Sequence, residues 1–147
     1  MRYDRLKPAS RAASKAARGS SKKRDTAPEL TLRKALRAQG LRSYRVDPAS
    51  VRGRPDVVFP KEMVAVFCDG DFWHGRDLND RIARLEGGHN ARYWVEKIKG
   101  NVARDRRISF QLETEGWEVL RFWESDIRRD PATAAELVAA RVKARKH

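Results

Sequence analysis

Apolar positions along the chain change period several times, and each change marks an element. Val57, Val58 and Phe59 form one unbroken apolar run, and Val64, Ala65, Val66 and Phe67 form another. Short continuous runs suit strands covered on both faces. Pro60-Lys61-Glu62 between them reads as a hairpin turn. A turn centred near residue 61 sets Asp56 across from residue 66, and so near Cys68 and Asp69 at one end of the sheet. Upstream, Thr26-Ala27-Pro28-Glu29 has the form of a capping box, with Pro tolerated in the first turn. Leu30, Leu32, Ala35 and Leu36 then supply a helical stripe that Gly40 ends. Tyr44 and Val46 suggest a short strand, followed by a loop from Pro48 to Gly53. Residues 75–89 are polar with three glycines and read as a loop holding one turn of helix. Trp94, Ile98, Val102, Ile108 and Leu112 approximate a helical spacing from Asn90 to Gly116. Trp117 to Trp123 reads as a strand, Glu124 to Arg129 as a helical turn, and Pro131 to Lys146 as an Ala-rich helix. This order predicts an α/β sandwich around a mixed sheet.

Composition narrows the partner. The 147 residues suffice for one domain with a core. Lys and Arg number 33 against 20 Asp and Glu, a net charge of +13, which favours a polyanion such as DNA or RNA. Nine of the basic residues fall in 1–25, interspersed with Ala and Ser, and this stretch is expected to be a flexible basic arm. The folded domain is expected over 26–147. Cys68 is the single cysteine, which excludes an intrachain disulfide and fits a reducing cytoplasm. One Cys and three His give no zinc-ligand spacing. The apolar runs are too short to span a membrane, and the basic N-terminus lacks the apolar centre of a signal peptide.

The acids at the hairpin end carry the chemistry. Asp56 at a strand edge, near Asp69 and Asp71, suits Mg²⁺, which prefers oxygen ligands and keeps several waters. Asp69 and Asp71 fit a ligand, an outer acid or a turn former beside Gly70. His74 follows at once and can take a proton from water attacking a phosphodiester. Phe72 and Trp73 are neighbours in a turn, so both are not expected to be buried. Exposed beside the site, they would stack on bases or wedge a base step open. Glu29 is the reciprocal member of the capping box and also lies within reach of the metal's water shell. Asp105 either anchors the site from the long helix or pairs with nearby Arg residues. Lys97, Lys99, Arg104 and Arg107 form a basic helix face that would either track phosphates or stand as an ordinary solvated face.

Five blocks in order, DTAPELTLRKALRAQGLR, GRPDVVFPKEMVAVF, DGDFWHG, YWVEKIKGNVARDRR and GWEVLRFWESD, cover roughly two-thirds of the chain, from Asp25 to Asp126. In these blocks the chain resembles the very-short-patch repair (Vsr) endonucleases, bacterial enzymes that nick DNA beside T:G mismatches. The resemblance implies a restriction-endonuclease-like fold, a Mg²⁺ cofactor, a monomer acting on mismatched duplex DNA in the cytoplasm, and a cytosine-5 methyltransferase in the same system. It implies that Asp56 and the main-chain carbonyl of Cys68 bind the metal and that His74 is the general base. Glu29 and Asp105 would be supporting acids, Asp69 would orient the attacking water, and Phe72 and Trp73 would wedge into the DNA. Many relatives hold a structural zinc around this loop. Asp71 and Ser125 occupy the matching cysteine positions here, so no zinc is expected, and the loop is either held by other packing or mobile until DNA binds. A related restriction or defence nuclease with another DNA target, a DNA-binding module without cleavage, and an RNA-binding protein are the rival readings.

Overall fold

The computed structural model describes residues 25–46, 48–85, 88 and 90–146. Of the arm expected over 1–25, only Asp25 falls among them, where it pairs with Arg33 at 2.8 Å. The elements are α1 (Ala27–Ala38), β1 (Arg45–Val46), β2 (Val57–Phe59), β3 (Val64–Asp69), α2 (Leu78–Leu85), α3 (Ala91–Thr114), β4 (Glu118–Trp123), α4 (Glu124–Arg129) and α5 (Pro131–Ala144). Among the described residues the strands form one sheet in the order β1-β2-β3-β4. The first two pairings are antiparallel and β3 runs parallel to β4, so the sheet is mixed as expected. α3 makes the crossover between the two parallel strands, as that connection requires.

Both faces of the sheet are covered, which explains the unbroken apolar runs. On one face Val57, Phe59, Val64, Val66, Leu120 and Phe122 pack with Leu32 and Leu36 of α1, Ile127 of α4, and Ala134, Ala135, Val138 and Val142 of α5. On the other, Val58, Ala65, Phe67 and Val119 meet Leu112 of α3, with Ile108 against them. Each large apolar side chain buried in this way contributes about 1.5–3 kcal/mol. The architecture is the α/β/α layering of the restriction-endonuclease-like class.

Four local expectations change. Val57 pairs with Val66, so Asp56 lies one pair further out than predicted. The turn holds four residues, Pro60 to Met63, and Met63 closes it at a left-handed φ of 57°. Residues 75–89 contain the two-turn helix α2, because Leu78 and Ile82 share a face that the surrounding charges obscure. Leu30 of α1 points outward at 51% exposure, and the buried stripe runs through Leu32, Arg33 and Leu36 instead.

Candidate active site

Asp56 sits at the floor of a cleft of about 500 Å³ lined by Glu29, Cys68, Asp69, Trp73, His74, Arg104, Asp105, Arg121 and Glu124 among others. The hairpin sets it there: its N–H donates to the Val66 carbonyl at 2.9 Å. Its Oδ2 accepts the Cys68 N–H at 2.6 Å, which confirms that Asp56 reaches Cys68 at the sheet end. The first turn of α1 brings Glu29 to the same place. Glu29 Oε2 accepts the Thr26 N–H at 2.6 Å, the helix-capping contact the sequence suggested, and its carboxyl also meets that of Asp56. Capping and site-building are thus done by one side chain.

Two acids in contact in a covered cleft cannot both be ionised without cost. Burial, and then the hydrogen bond and charge of Glu29, hold the Asp56 carboxyl well above its ordinary value, against the pull of the Cys68 N–H. Burial and the charges of Asp56 and Glu29 push the Cys68 thiol up. Glu124 is pushed up to about 7 by burial, offset in part by Arg128 and reinforced by Glu29 and Asp71. A divalent cation on oxygen ligands relieves this excess of negative charge, and the donor set suits Mg²⁺.

On the opposite wall, His74 Nδ1 lies 2.5 Å from Asp105 Oδ2 and 3.8 Å from Asp69 Oδ1. Ligand atoms of Asp69, His74 and Asp105 lie within 4.8 Å of one another, close enough to hold a metal ion. Arg121 already serves these acids. Its Nη1 donates to both oxygens of Asp69 at 3.0 and 3.1 Å and lies 3.7 Å from Asp105 Oδ1. Its Nη2 donates to the Asp105 carbonyl at 3.2 Å, and its Nε to Ser109 Oγ at 2.7 Å. The cluster therefore carries its own cation, while Asp56 faces another acid. Burial lowers the His74 pKa, but the Asp105 hydrogen bond and the charges of Asp69 and Asp105 outweigh it and raise the net value above 6.5. Asp69 is buried, bonded to Arg121 and 3.8 Å from His74 Nδ1, so it stands beside the imidazole.

The aromatic pair separates. Phe72 is buried at 6% exposure, against the expectation of an open ring, because it packs edge-on to Trp73 at 4.9 Å and near Trp94 at 6.2 Å. Trp73 remains half-buried at the cleft, 5.4 Å from Trp94, and Asn101 Nδ2 holds its carbonyl at 2.8 Å. Trp94 thus belongs to an aromatic group that reaches the surface at Tyr93, 58% exposed. Lys97 lies over both Trp73 and Tyr93, at 5.3 and 5.9 Å. Lys99, Arg104 and Arg107 are exposed along α3, and only Arg104 of these three lines the cleft.

Asp71 and Ser125, the positions read as lacking cysteines, are bonded to each other. Ser125 donates its hydroxyl to Asp71 Oδ2 and its N–H to Asp71 Oδ1 at 3.2 Å. Arg76 joins them. The packing that holds the loop is therefore polar and internal.

The fold brings Asp56, Glu29, Cys68, Asp69, His74 and Asp105 into one cleft and leaves Lys99 and Arg107 outside it. Arg121, Glu124 and Arg76 were not singled out in the sequence. Arg121 had a signal, a charge within the apolar strand of WEVLRFW that is costly to bury without partners. Glu124 and Arg76 had none beyond a polar residue in a charge-rich stretch.

The family model for DNA mismatch endonuclease Vsr matches residues 3–80. The chain is 44% identical over 140 residues to the type II nicking enzyme V.NmeDIP of Neisseria meningitidis serogroup C, covering 95% of this chain and 90% of that protein. It is 40% identical over 128 residues to the type II nicking enzyme V.HpaIIP of Haemophilus parainfluenzae, covering 87% of each. It is 37% identical over 123 residues to the DNA mismatch endonuclease Vsr of Escherichia coli (strain K12), covering 82% of this chain and 74% of that one.

Proposed function

The chain belongs to the DNA mismatch endonuclease Vsr family, and from that premise and the cleft we propose a Mg²⁺-dependent enzyme that nicks duplex DNA 5′ of the thymine in a T:G mismatch. The observation that supports it most is the pairing of two unlike walls. Asp56 meets a second carboxyl on one side, and a histidine fixed by Asp105 stands on the other. Asp56 and the Cys68 carbonyl would hold the ion, with Glu29 on its water shell. When bound, Mg²⁺ supplies electrostatic stabilisation of the charge developing on the phosphate and the leaving oxygen.

His74 takes the proton of the attacking water. Its Nδ1 is engaged by Asp105, which leaves Nε2 as the basic nitrogen. Arg121 braces Asp69 and Asp105 and so keeps the imidazole from turning. Trp73 sits where a base step would meet the cleft. Phe72 supports that ring from behind, and it reaches DNA itself only if the turn opens. Lys97, Lys99, Arg104 and Arg107 on α3, with the N-terminal arm, grip the backbone. A T:G pair arises when 5-methylcytosine deaminates, so the product nick starts replacement of the wrong thymine in a cell that carries a cytosine-5 methyltransferase.

Relatives named as type II nicking enzymes favour a second reading, a DNA nicking enzyme whose target is another DNA feature. One experiment separates the readings. A labelled duplex with one T:G pair and its T:A control are incubated with Mg²⁺ and then with EDTA, in several cytosine-methylation contexts. The proposal expects EDTA-sensitive nicking of the T:G duplex alone. Equal nicking of both duplexes supports the second reading, and binding without any nicking supports a module that has lost cleavage.

A further inference from the structure

Residues 71–76 carry both Trp73 and His74, and their two ends meet. The Arg76 N–H donates to the Asp71 carbonyl at 2.9 Å, and Arg76 Nη1 lies 3.5 Å from Asp71 Oδ2. The same Nη1 donates to Ser125 Oγ at 3.1 Å and lies 2.9 Å from Asp126 Oδ1. The guanidinium stands 5.6 Å from the centre of the Trp123 ring, and the Arg76 carbonyl accepts Arg81 Nε of α2 at 2.8 Å. All four polar members are buried: Asp126 at 0% exposure, Asp71 at 1%, Ser125 at 3% and Arg76 at 8%.

This cluster touches neither Asp56 nor the His74 ring, and it is an expensive construction. Two acids share one cation, and burial raises Asp126 even against the Arg76 charge. Buried ion pairs add little stability compared with apolar packing of the same volume. What they supply is one geometry, because a planar fork meets fixed acceptors in few ways. The acceptors here belong to the sheet edge: Ser125 and Asp126 lie in α4, directly after β4, and β4 pairs with β3, whose end places Cys68 beside Asp56.

We infer that Arg76 is a positioning residue, which clasps both ends of the 71–76 turn to Ser125 and Asp126 and thereby fixes His74 relative to Asp56. The inference rests on the proposed role of His74 as base. Arg76 then acts on the chemical step and on the seating of Trp73, while most duplex affinity stays with phosphate contacts of the α3 face. A base displaced by about 1 Å loses on the order of 10²-fold in rate.

The test uses the full chain with Arg76→Gln and Arg76→Lys. Single-turnover nicking of the T:G duplex with Mg²⁺ is measured beside the duplex Kd, the melting temperature and the ring ¹H–¹⁵N spectrum of His74, one of only three histidines. The expected result is a rate lower by about 10- to 100-fold for Gln, partial rescue by Lys, a Kd within about threefold of wild type, and displaced His74 ring signals well below the melting temperature. Folded variants that nick at the wild-type rate, or keep the wild-type His74 signals, overturn the inference. If Arg76→Gln does not fold, Arg76→Lys and Asp126→Asn decide by the same criteria. If the wild type fails to nick T:G DNA, the proposed function falls, and unmoved His74 signals in the variants would still overturn the role of Arg76.

Discussion

In the proposed mechanism the chemistry turns on His74, and its partners set when it works. A base must be neutral to accept a proton, so the rate should rise with pH as His74 loses its charge. Asp105 and Asp69 raise its pKa above 6.5 and shift that rise to higher pH. Asp105→Asn removes the negative charge and replaces the carboxylate that holds the Nδ1 proton with a neutral amide, a weaker acceptor that can also turn its NH2 toward the ring. The rising limb of the pH–rate profile should then move to lower pH, while the maximal rate falls by about 10²-fold because the ring loses its orientation. An unmoved limb in single-turnover kinetics would show that another group is the base. The residue scale is also where the sequence spoke most unevenly. Asp56, Glu29, His74 and Asp105 were legible because each stands in a short motif with a chemical reason. Arg121 was not assigned a role, since a charge inside an apolar strand gains meaning only once Asp69 and Asp105 are seen on its guanidinium. Phe72 was misjudged because the turn directs it inward, where Trp94 of α3 covers it, and Trp73 alone of the pair stays open to the cleft.

The elements were legible where burial imposed a simple period. The β2–β3 hairpin could be read from its two apolar runs, and α3 from its spaced apolar positions. α2 was hidden because two turns with few apolar residues are hard to tell from a loop. What no period reveals is how closely the turn after β3 approaches α3. Gly75 adopts φ +76°, and a Cβ placed on it would lie 2.6 Å from Val102 Cγ2 and 3.4 Å from Ile98 Cγ2. Gly75→Ala should therefore lose about 1–3 kcal/mol, through both the left-handed backbone and the clash. Urea denaturation measures this directly. A loss below about 0.5 kcal/mol would mean that the turn shifts freely away from α3, which would also weaken the case for a clasped loop.

At the scale of the whole molecule, the sheet is a divider with different tasks on its two sides. α1, α4 and α5 build the larger core against one face, while α3 spans the other face and carries Lys97, Lys99, Arg104 and Arg107. The cleft opens where the helix starts, the hairpin end and the β3 turn converge, so acids distant in sequence share one floor. The mixed sheet and its layering were readable from element order, but this convergence was only partly so. Hairpin pairing put Asp56 near Cys68, whereas Glu29 and Asp105 come from helices whose packing the pattern alone did not fix. Among the described residues no helix is long and apolar enough to cross a membrane. In the proposed division of labour Asp56 serves cleavage and the basic face serves binding. Asp56→Asn keeps an acceptor for the Cys68 N–H and removes the charge that a cation needs. Nicking and equilibrium binding of the same T:G duplex, measured side by side in Mg²⁺, give the most direct test. Nicking should fall by at least about 10³-fold while the Kd stays within about threefold. Nicking near the wild-type rate in a clean preparation would contradict the site, and equal loss of binding and nicking would contradict the division of labour.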